Sequence, residues 1–512
     1  MAIPCTMKSL ARSSLLVALF FGLDKAIGLA RQLLIARQFG VSPELDAFNA
    51  ANNVPDMLFA LISGGALSLA FIPVLTETLE AEGRAVTWRL FSRVANWAFL
   101  ITAVLSIGLG LAAEPIVAWR LGVAPGFSSA QQALVAQLMR LNLIATLIFS
   151  VSGLVISGLQ AHQHFVLPAL APVLYNLGLI AGVVVLAPDH GWQVGPLQLP
   201  AFGLGIHGLV YGVILGAALH LGIQVPGLIR YGFRWSASLA WHDERVRRVA
   251  RLMGPRVLTL GAIQLIFVVT DNLASYLPAG AVSALVYGWV IMQVPETVIG
   301  SALGTVLLPR MAERLARGDV DGFHQSAGRG VRLILALAVP TAVALSMLLP
   351  PLVPWIFRFE EQAARQVTLV AQMFVLGLAG HALLEIVARA FYARQDARSP
   401  LLASLVNFGF FLAAAPVFAR GFGAAGIALA NSLSFTLEAL LLLGWAWRRG
   451  MRFPFGDALA RAAVAAVLAF ALVEGMMRLT GGSLPGALAG GVLSAGAIVL
   501  VARHELQAWA RS

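Results

Sequence analysis

SLARSSLLVALFFGLDKAIGLARQLLIA, residues 9–36, is apolar enough to cross a bilayer, yet it holds Asp24, Lys25 and Arg31 in its interior. A hydrocarbon core of about 30 Å takes about 20 residues of helix. Ionisable groups at that depth are costly unless they face a partner or a wet cavity. A second apolar stretch, 44–77, follows at once and carries Asp46, Asn52, Asn53 and Asp56. Two adjacent spans with polar interiors predict an all-α polytopic membrane protein with a polar path or pocket inside its helical bundle.

Composition agrees. Hydrophobic residues make up 59% of the 512, charged residues only 12%, and mean hydropathy is +0.84. A soluble domain carries about 25% charged residues. The single cysteine, Cys5, excludes an internal disulfide and is too isolated for a metal site. The stretch after Lys8 is too long and too charged for the apolar region of a cleavable signal, so it is expected to merge with the first span.

Hydropathy places fourteen helices near 9–36, 44–77, 91–113, 131–159, 165–187, 203–229, 250–276, 281–309, 331–349, 366–392, 400–419, 423–446, 457–477 and 484–502. With the N-terminus on the cytoplasmic side, twenty-four of the thirty-five lysines and arginines fall on that side and six on the other. That asymmetry is the positive-inside pattern and predicts both termini in the cytoplasm. The net charge of +11 is therefore an orientation signal, with attraction to anionic membrane lipid a secondary use. No basic run is interleaved with aromatics, which argues against nucleic acid as a partner.

Three pairs of segments echo each other in the same order. GGALSLAFIP (64–73) matches GSALGTVLLP (300–309), HFVLPALAPVLYN (164–176) resembles ARSPLLASLVN (397–407), and GIHG (205–208) parallels GAAG (423–426). Two six-helix bundles of equal orientation follow, 1–230 and 231–449, related by a pseudo-twofold axis along the membrane normal. Residues 450–512 add two C-terminal helices outside the repeat.

Each polar feature has a structural and a functional reading. Lys25 and Arg31 either snorkel to the interface or line a cavity that binds an anion, where the guanidinium fork suits phosphate. The segment LDAFNAANNVPDMLFALISGGALS (45–68) is either a kinked packing helix or a cavity wall that bends, with Pro55, Gly64 and Gly65 as the hinge. The span 250–276 carries Arg256, Gln264, Asp271 and Asn272. Asp271 either pairs with an arginine or holds Na⁺ or a proton, with Asn407 as candidate co-ligand. Arg389, Arg394, Arg398 and Asp396 form a cytoplasmic corner that serves topology or an acidic headgroup. The nine histidines are dispersed, and no HExxH, GxxxxGK[ST] or GxSxG motif appears, so neither an enzyme nor an ATP-driven motor is expected. Transport would draw on Na⁺, H⁺, the membrane potential or substrate flux.

The string DKAIGLARQLLIARQFG (24–40) with LDAFNAANNVPDMLFALISGGALSLAFIPVLTE (45–77) resembles the opening of the MurJ (MviN) lipid II flippases. These belong to the multidrug/oligosaccharidyl-lipid/polysaccharide exporter superfamily. QAHQHFVLPALAPVLYNLGLIAG (160–182), ALGTVLLPRMAERLARGD (302–319), ARAFYARQDARSPLLASLVN (388–407) and GAAGIALANSLS (423–434) resemble further family segments in family order. The resemblance implies two six-helix bundles around a cationic cavity. Lipid II, an undecaprenyl pyrophosphate bearing a disaccharide-pentapeptide, would move from the inner to the outer leaflet of the bacterial cytoplasmic membrane by alternating access, for cell wall synthesis. Family arginines in the first helix match Lys25 and Arg31, and a family aspartate matches Asp46. With Asn53, these residues are the expected substrate contacts. The chain departs from the family at Phe59 and Ala60, where many members have a basic pair. It departs again at Val290 and Gln293, and at Phe411 where some members have a sodium-site carboxylate. Arg256 is the candidate replacement for the missing positive charge. Alternatives left open are a flippase for another polyprenyl-linked glycan, a drug/cation antiporter of the same superfamily, and a non-transporting scaffold for cell-wall synthesis proteins.

Overall fold

The computed structural model describes residues 7–62, 65–453 and 455–510. The first eight helices are α1 (Met7–Phe39), α2 (Pro43–Ile62), α3 (Gly65–Glu82), α4 (Arg84–Leu111), α5 (Ala113–Ala118), α6 (Ser129–Ala161), α7 (Val166–Ala181) and α8 (Gly205–Gly222). A π-helical turn, Gly182–Leu186, extends α7, and a two-residue hairpin pairs β1 (Gln193–Val194) with β2 (Leu197–Gln198) before α8. There follow α9 (Val225–Arg230), α10 (Glu244–Ser275), α11 (Ala281–Glu296), α12 (Ala302–Ala316), α13 (Val320–Phe357), α14 (Glu361–Leu376), α15 (Leu378–Ala393), α16 (Arg398–Arg448), α17 (Ala458–Leu479) and α18 (Leu484–Ala510).

Each stretch expected to span the membrane is mainly helical over its described residues. Among the described residues, ten helical stretches are long and apolar enough to cross a membrane, and one of them, Arg398–Arg448, contains two of the expected spans. The expected spans outside those ten are 9–36, 44–77 and 250–276, the three that carry the ionisable residues singled out above. Gly64 and Cys5 lie outside the described residues, as does the side chain of Arg256.

Packing divides the chain into two compact units, one ending at Tyr276 and the other beginning at Leu277. The internal repeat suggests a division at 230/231. The packing boundary lies later because α10 lies against α2 and α3. In the first unit, α7 packs between α1 and α8, while α6 meets α2, α3, α4 and α8. Its apolar core gathers Phe71, Trp88, Phe91, Leu154 and Leu159. In the second, α14 and α15 pack on α16, and α17 and α18 pack on each other and on α13.

Lipid tails are as apolar as leucine, so helices in a membrane associate through close packing of small residues. The α7–α8 contact works this way. A Cβ on Gly182 would sit 2.7 Å from the Cα of Gly212, and one on Gly178 would overlap Gly216. The helix backbones thus touch along Gly178-xxx-Gly182 and Gly212-xxx-Gly216. Glu505 on α18 is buried between Arg332 of α13 and Arg461 of α17, 3.2 and 2.9 Å away, which ties the two C-terminal helices to their unit.

Candidate functional site

On α1, Asp24, Gly28 and Arg31 stand at i, i+4 and i+7 and share one face. That face meets Asn176 of α7. Arg31 Nη1 donates to Asn176 Oδ1 at 2.8 Å, and Asn176 Nδ2 donates to Asp24 Oδ1 at 2.8 Å. Gly28 lies between them on the face that meets Asn176, where a Cβ would make an ordinary contact with the amide at 3.7 Å. A neutral side chain therefore bridges the two charges. Arg31 makes no ion pair among the described residues, and its buried Nε has no hydrogen-bond partner among them. Lys25 is exposed, makes no hydrogen bond or ion pair among the described residues, and lies about a third of a turn round the helix from Arg31.

Asp46, Asn49, Asn53 and Asp56 recur on α2 at i, i+3, i+7 and i+10, another single face. Asp46 is buried and Asp56 exposed. The Asn53 amide donates to the buried carboxylate of Asp271 on α10, and Asp46 lies within electrostatic reach of the same carboxylate. Asp271 thus meets an asparagine, not the arginine that one sequence reading gave it. On the flank of α2, Asn142 of α6 donates to Asn52 at 2.6 Å, and Thr146 reaches the carbonyl of Pro55 at 3.5 Å. Asn272 serves the adjoining loop, donating to the carbonyls of Arg120 and Gly122 at 3.1 and 2.6 Å.

The second unit holds its own buried polar pair. Asn407 donates to Glu438 at 2.6 Å, joining the two arms of α16. The Asn407 Oδ1 has no partner among the described residues. Nearby, Arg389 pairs with Glu385 one turn back and packs against Gly304, and Ser301 donates to Glu296 at 3.2 Å. The corner at Asp396 is mainly local structure. Its carboxylate accepts from Ser399 Oγ at 2.7 Å and from the backbone amides of Arg398 and Ser399, and pairs with Arg449. Burial pushes the Asp396 carboxyl up, but the Ser399 bonds and the Arg449 charge outweigh it and hold it below the usual range.

Residue reading missed Asn176, Asn142 and Glu438. Glu438 had a signal, since a carboxylate inside an apolar span is what singled out Asp24. The asparagines had none beyond polarity.

The sequence model described as lipid II flippase MurJ matches residues 35–491. The chain belongs to the lipid II flippase MurJ family. Lipid II flippase MurJ of Burkholderia cenocepacia is 34% identical over 460 residues, covering 87% of this chain and 85% of that protein. The probable lipid II flippase MurJ of Haemophilus influenzae is 28% identical over 444 residues, covering 82% and 83%. Among solved structures, a lipid II flippase MurJ in an inward closed conformation superposes with a TM-score of 0.79 at 20% identity, covering 97% of this chain and 99% of that one. An inward-facing multidrug resistance MATE family transporter gives 0.68 at 14% identity, covering 83% and 94%. These likenesses establish the fold.

At Phe59, one of the positions where the chain departs from the family resemblance, the structure has aromatic packing. Phe59 lies 5.3 Å from Phe149, which meets Tyr175 at 5.2 Å, both between ring centroids. Tyr175 precedes the bridging Asn176 and feels the charges of both Arg31 and Asp56. An aromatic wall therefore stands at Phe59, beside the Arg31–Asn176 bridge.

Proposed function

We infer that this chain moves lipid II from the inner to the outer leaflet of the cytoplasmic membrane by alternating access, supplying cell wall synthesis. Family membership over residues 35–491 carries this reading. A pyrophosphate headgroup cannot enter hydrocarbon without replacements for its water shell. Arg31 supports the assignment: its only hydrogen-bond acceptor among the described residues is a neutral amide, so its charge is not cancelled by contact. Asn176 orients the guanidinium, and an arriving phosphate would add charge-assisted hydrogen bonds. Lys25, exposed about a third of a turn away on α1, would add positive charge for the headgroup without sharing the Arg31 contact. Arg256 supplies a third cation in this reading, and Asn53 and Asp46 complete the polar wall.

The reading extends to coupling and motion. Asp46 and Asp271 form the carboxylate pair at which Na⁺ or H⁺ would act, or on which the membrane potential would pull. Asn407 with Glu438 is a second candidate ion-binding pair. Pro55 with Gly64 and Gly65 would let the second span bend as access alternates. Both termini would lie in the cytoplasm, and cell-wall synthesis proteins are the expected protein partners.

The test is depletion of a host's own flippase, rescue with this chain, and measurement of the lipid II reachable from outside the cell. Rescue with normal outward lipid II is expected. Stable insertion without outward lipid II would overturn the reading. The aromatic wall at Phe59 favours one narrower question: whether purified protein in vesicles also moves other polyprenyl-pyrophosphate glycans.

A further inference from the structure

A groove of about 300 Å³ opens between α4 and the first half of α10. Its lining is apolar and includes Val94, Trp97, Ile101, Val246, Met253 and Val257. Along α4 it runs from Val94 to Ile101, about 10 Å at 1.5 Å per residue. Trp97 and Trp241 close one side as an edge-to-face pair with centroids 5.3 Å apart.

The loop carrying Trp241 is stitched to α4. Trp88 donates to the Tyr231 carbonyl at 2.9 Å, and the Asn96 amide donates to the carbonyls of Ser236 and Ser238 at 2.8 and 3.0 Å. Trp235 returns a bond to Asn96 Oδ1 at 2.9 Å, and Trp97 donates to the Leu239 carbonyl. These bonds fix an otherwise irregular segment while Trp235, Leu239 and Trp241 stay exposed. Exposed tryptophans on a fixed segment at a span end are the mark of the membrane interface.

The surroundings of the groove mouth are basic. Residues 77–93 and 230–251 hold nine arginines against five carboxylates. Most of these carboxylates are engaged: Asp243 with Arg93 and Arg245, Glu82 with Arg245, Glu77 with Arg248, and Glu244 with Arg251. Arg247 has no carboxylate partner among the described residues. It donates to the Trp241 carbonyl at 3.2 Å and sits 3.3 Å from His242 Nδ1. With Ala250 and Gly254, both lining the groove, Arg247 stands at i, i+3 and i+7, so it crowns the same face.

We propose that this groove binds one acyl chain of an anionic phospholipid, with Arg247 holding the phosphate and the tryptophan pair flanking the chain. An apolar slot under an uncompensated cation complements a lipid of this kind. The short length suits the upper part of one acyl chain and not a polyprenyl tail. The site lies on the membrane face richest in arginine, where anionic headgroups gather. It is separate from the Asp24–Asn176–Arg31 bridge and does not depend on the transported substrate.

Gly254 gives a test, because it lines the groove, a Cβ there meets nothing within 4 Å, and a larger side chain would enter the slot. Purified protein would be given equimolar phosphatidylglycerol and phosphatidylethanolamine, and retained lipids counted by native mass spectrometry. The wild type should keep phosphatidylglycerol in preference, and Gly254→Leu should lose that lipid. Arg247→Gln should keep a lipid while its preference for phosphatidylglycerol drops about fivefold, the factor one basic residue contributes near an anionic surface. Equal retention of both lipids by the wild type would overturn the proposal. So would unchanged retention by Gly254→Leu, or a polyprenyl phosphate as the species lost from that variant.

Discussion

Arg31 is held by an amide, and that detail decides what its removal should do. Arg31→Ala leaves no carboxylate stripped of a direct ion-pair partner; it costs Asn176 Oδ1 a donor, worth about 1–3 kcal/mol. The variant should therefore insert and fold, yet flipping should fall to background. Growth rescue by Arg31→Ala at normal expression would reduce the residue to an interface anchor. The charge at Arg31 was legible in the sequence, because a cation in mid-span is conspicuous against apolar neighbours. Its partner was not: Asp24 is seven residues away and reaches it only through Asn176, 145 positions on, so the bridge exists only after α7 packs on α1. Asn407 and Glu438 show the same limit, since 31 residues separate them until α16 folds back. At Asp243, outside the spans, pH offers a second test. Burial pushes its carboxyl up, but bonds from Arg245 and Arg93 outweigh this and hold it below the usual 3.8. A depressed carboxylate stabilises the fold above its unfolded value and loses that contribution as pH falls through the folded value. Asp243→Asn keeps an equally good cap for α10 but should cost about 1 kcal/mol at pH 7 through the lost ion pairs with Arg93 and Arg245. The gap in melting temperature, read by tryptophan fluorescence, should close below about pH 3.8. A gap that persists in acid would mean that the charge is not what matters.

At the scale of helices, the glycine seam between α7 and α8 positions the site. Asn176 meets Arg31 only if α7 lies where backbone contact with α8 puts it. Gly182→Leu would drive a side chain into Gly212, and the helices must separate. Overpacking of this kind costs about 1–3 kcal/mol or more. The variant should show a lower melting temperature and loss of a monodisperse profile in detergent. Gly22→Leu on α1, where a Cβ meets nothing within 4 Å, should leave both unchanged. Equal behaviour of the two variants would show that the seam does not set the packing. The sequence displayed this seam as small residues four apart, but small-residue spacing recurs throughout an apolar chain. Only the facing pattern on α8 makes it a seam. The second span was read as one helix over 44–77; the structure describes helix to Ile62 and again from Gly65, with Gly64 outside the described residues.

The whole chain turns on parity, because the number of crossings decides on which side each terminus lies. The decisive element is α16, whose 51 residues would run about 77 Å as one straight helix, more than twice a bilayer core. It does not run straight. Gly423 takes a left-handed φ of 57° inside it. A Cβ on Gly426 would overlap the Phe418 carbonyl, so the chain doubles back there. Asn407 then meets Glu438, and Asp396, just before the first arm, pairs with Arg449, just after the second. Two antiparallel arms of about 25 residues each are long enough to cross, so α16 counts twice and begins and ends on one face. With α17 and α18 adding another even pair, and with 9–36, 44–77 and 250–276 crossing as the sequence predicts, the expected total is fourteen and both termini would share a side. The arginine asymmetry predicts that this side is the cytoplasm. A reporter that works only in the cytoplasm should be active when fused after Ser512 and inactive when inserted at Phe422, the exposed turn of the hairpin. Equal activity at the two sites would mean that α16 does not cross twice, and activity reversed between them would place the arginine-rich face outside.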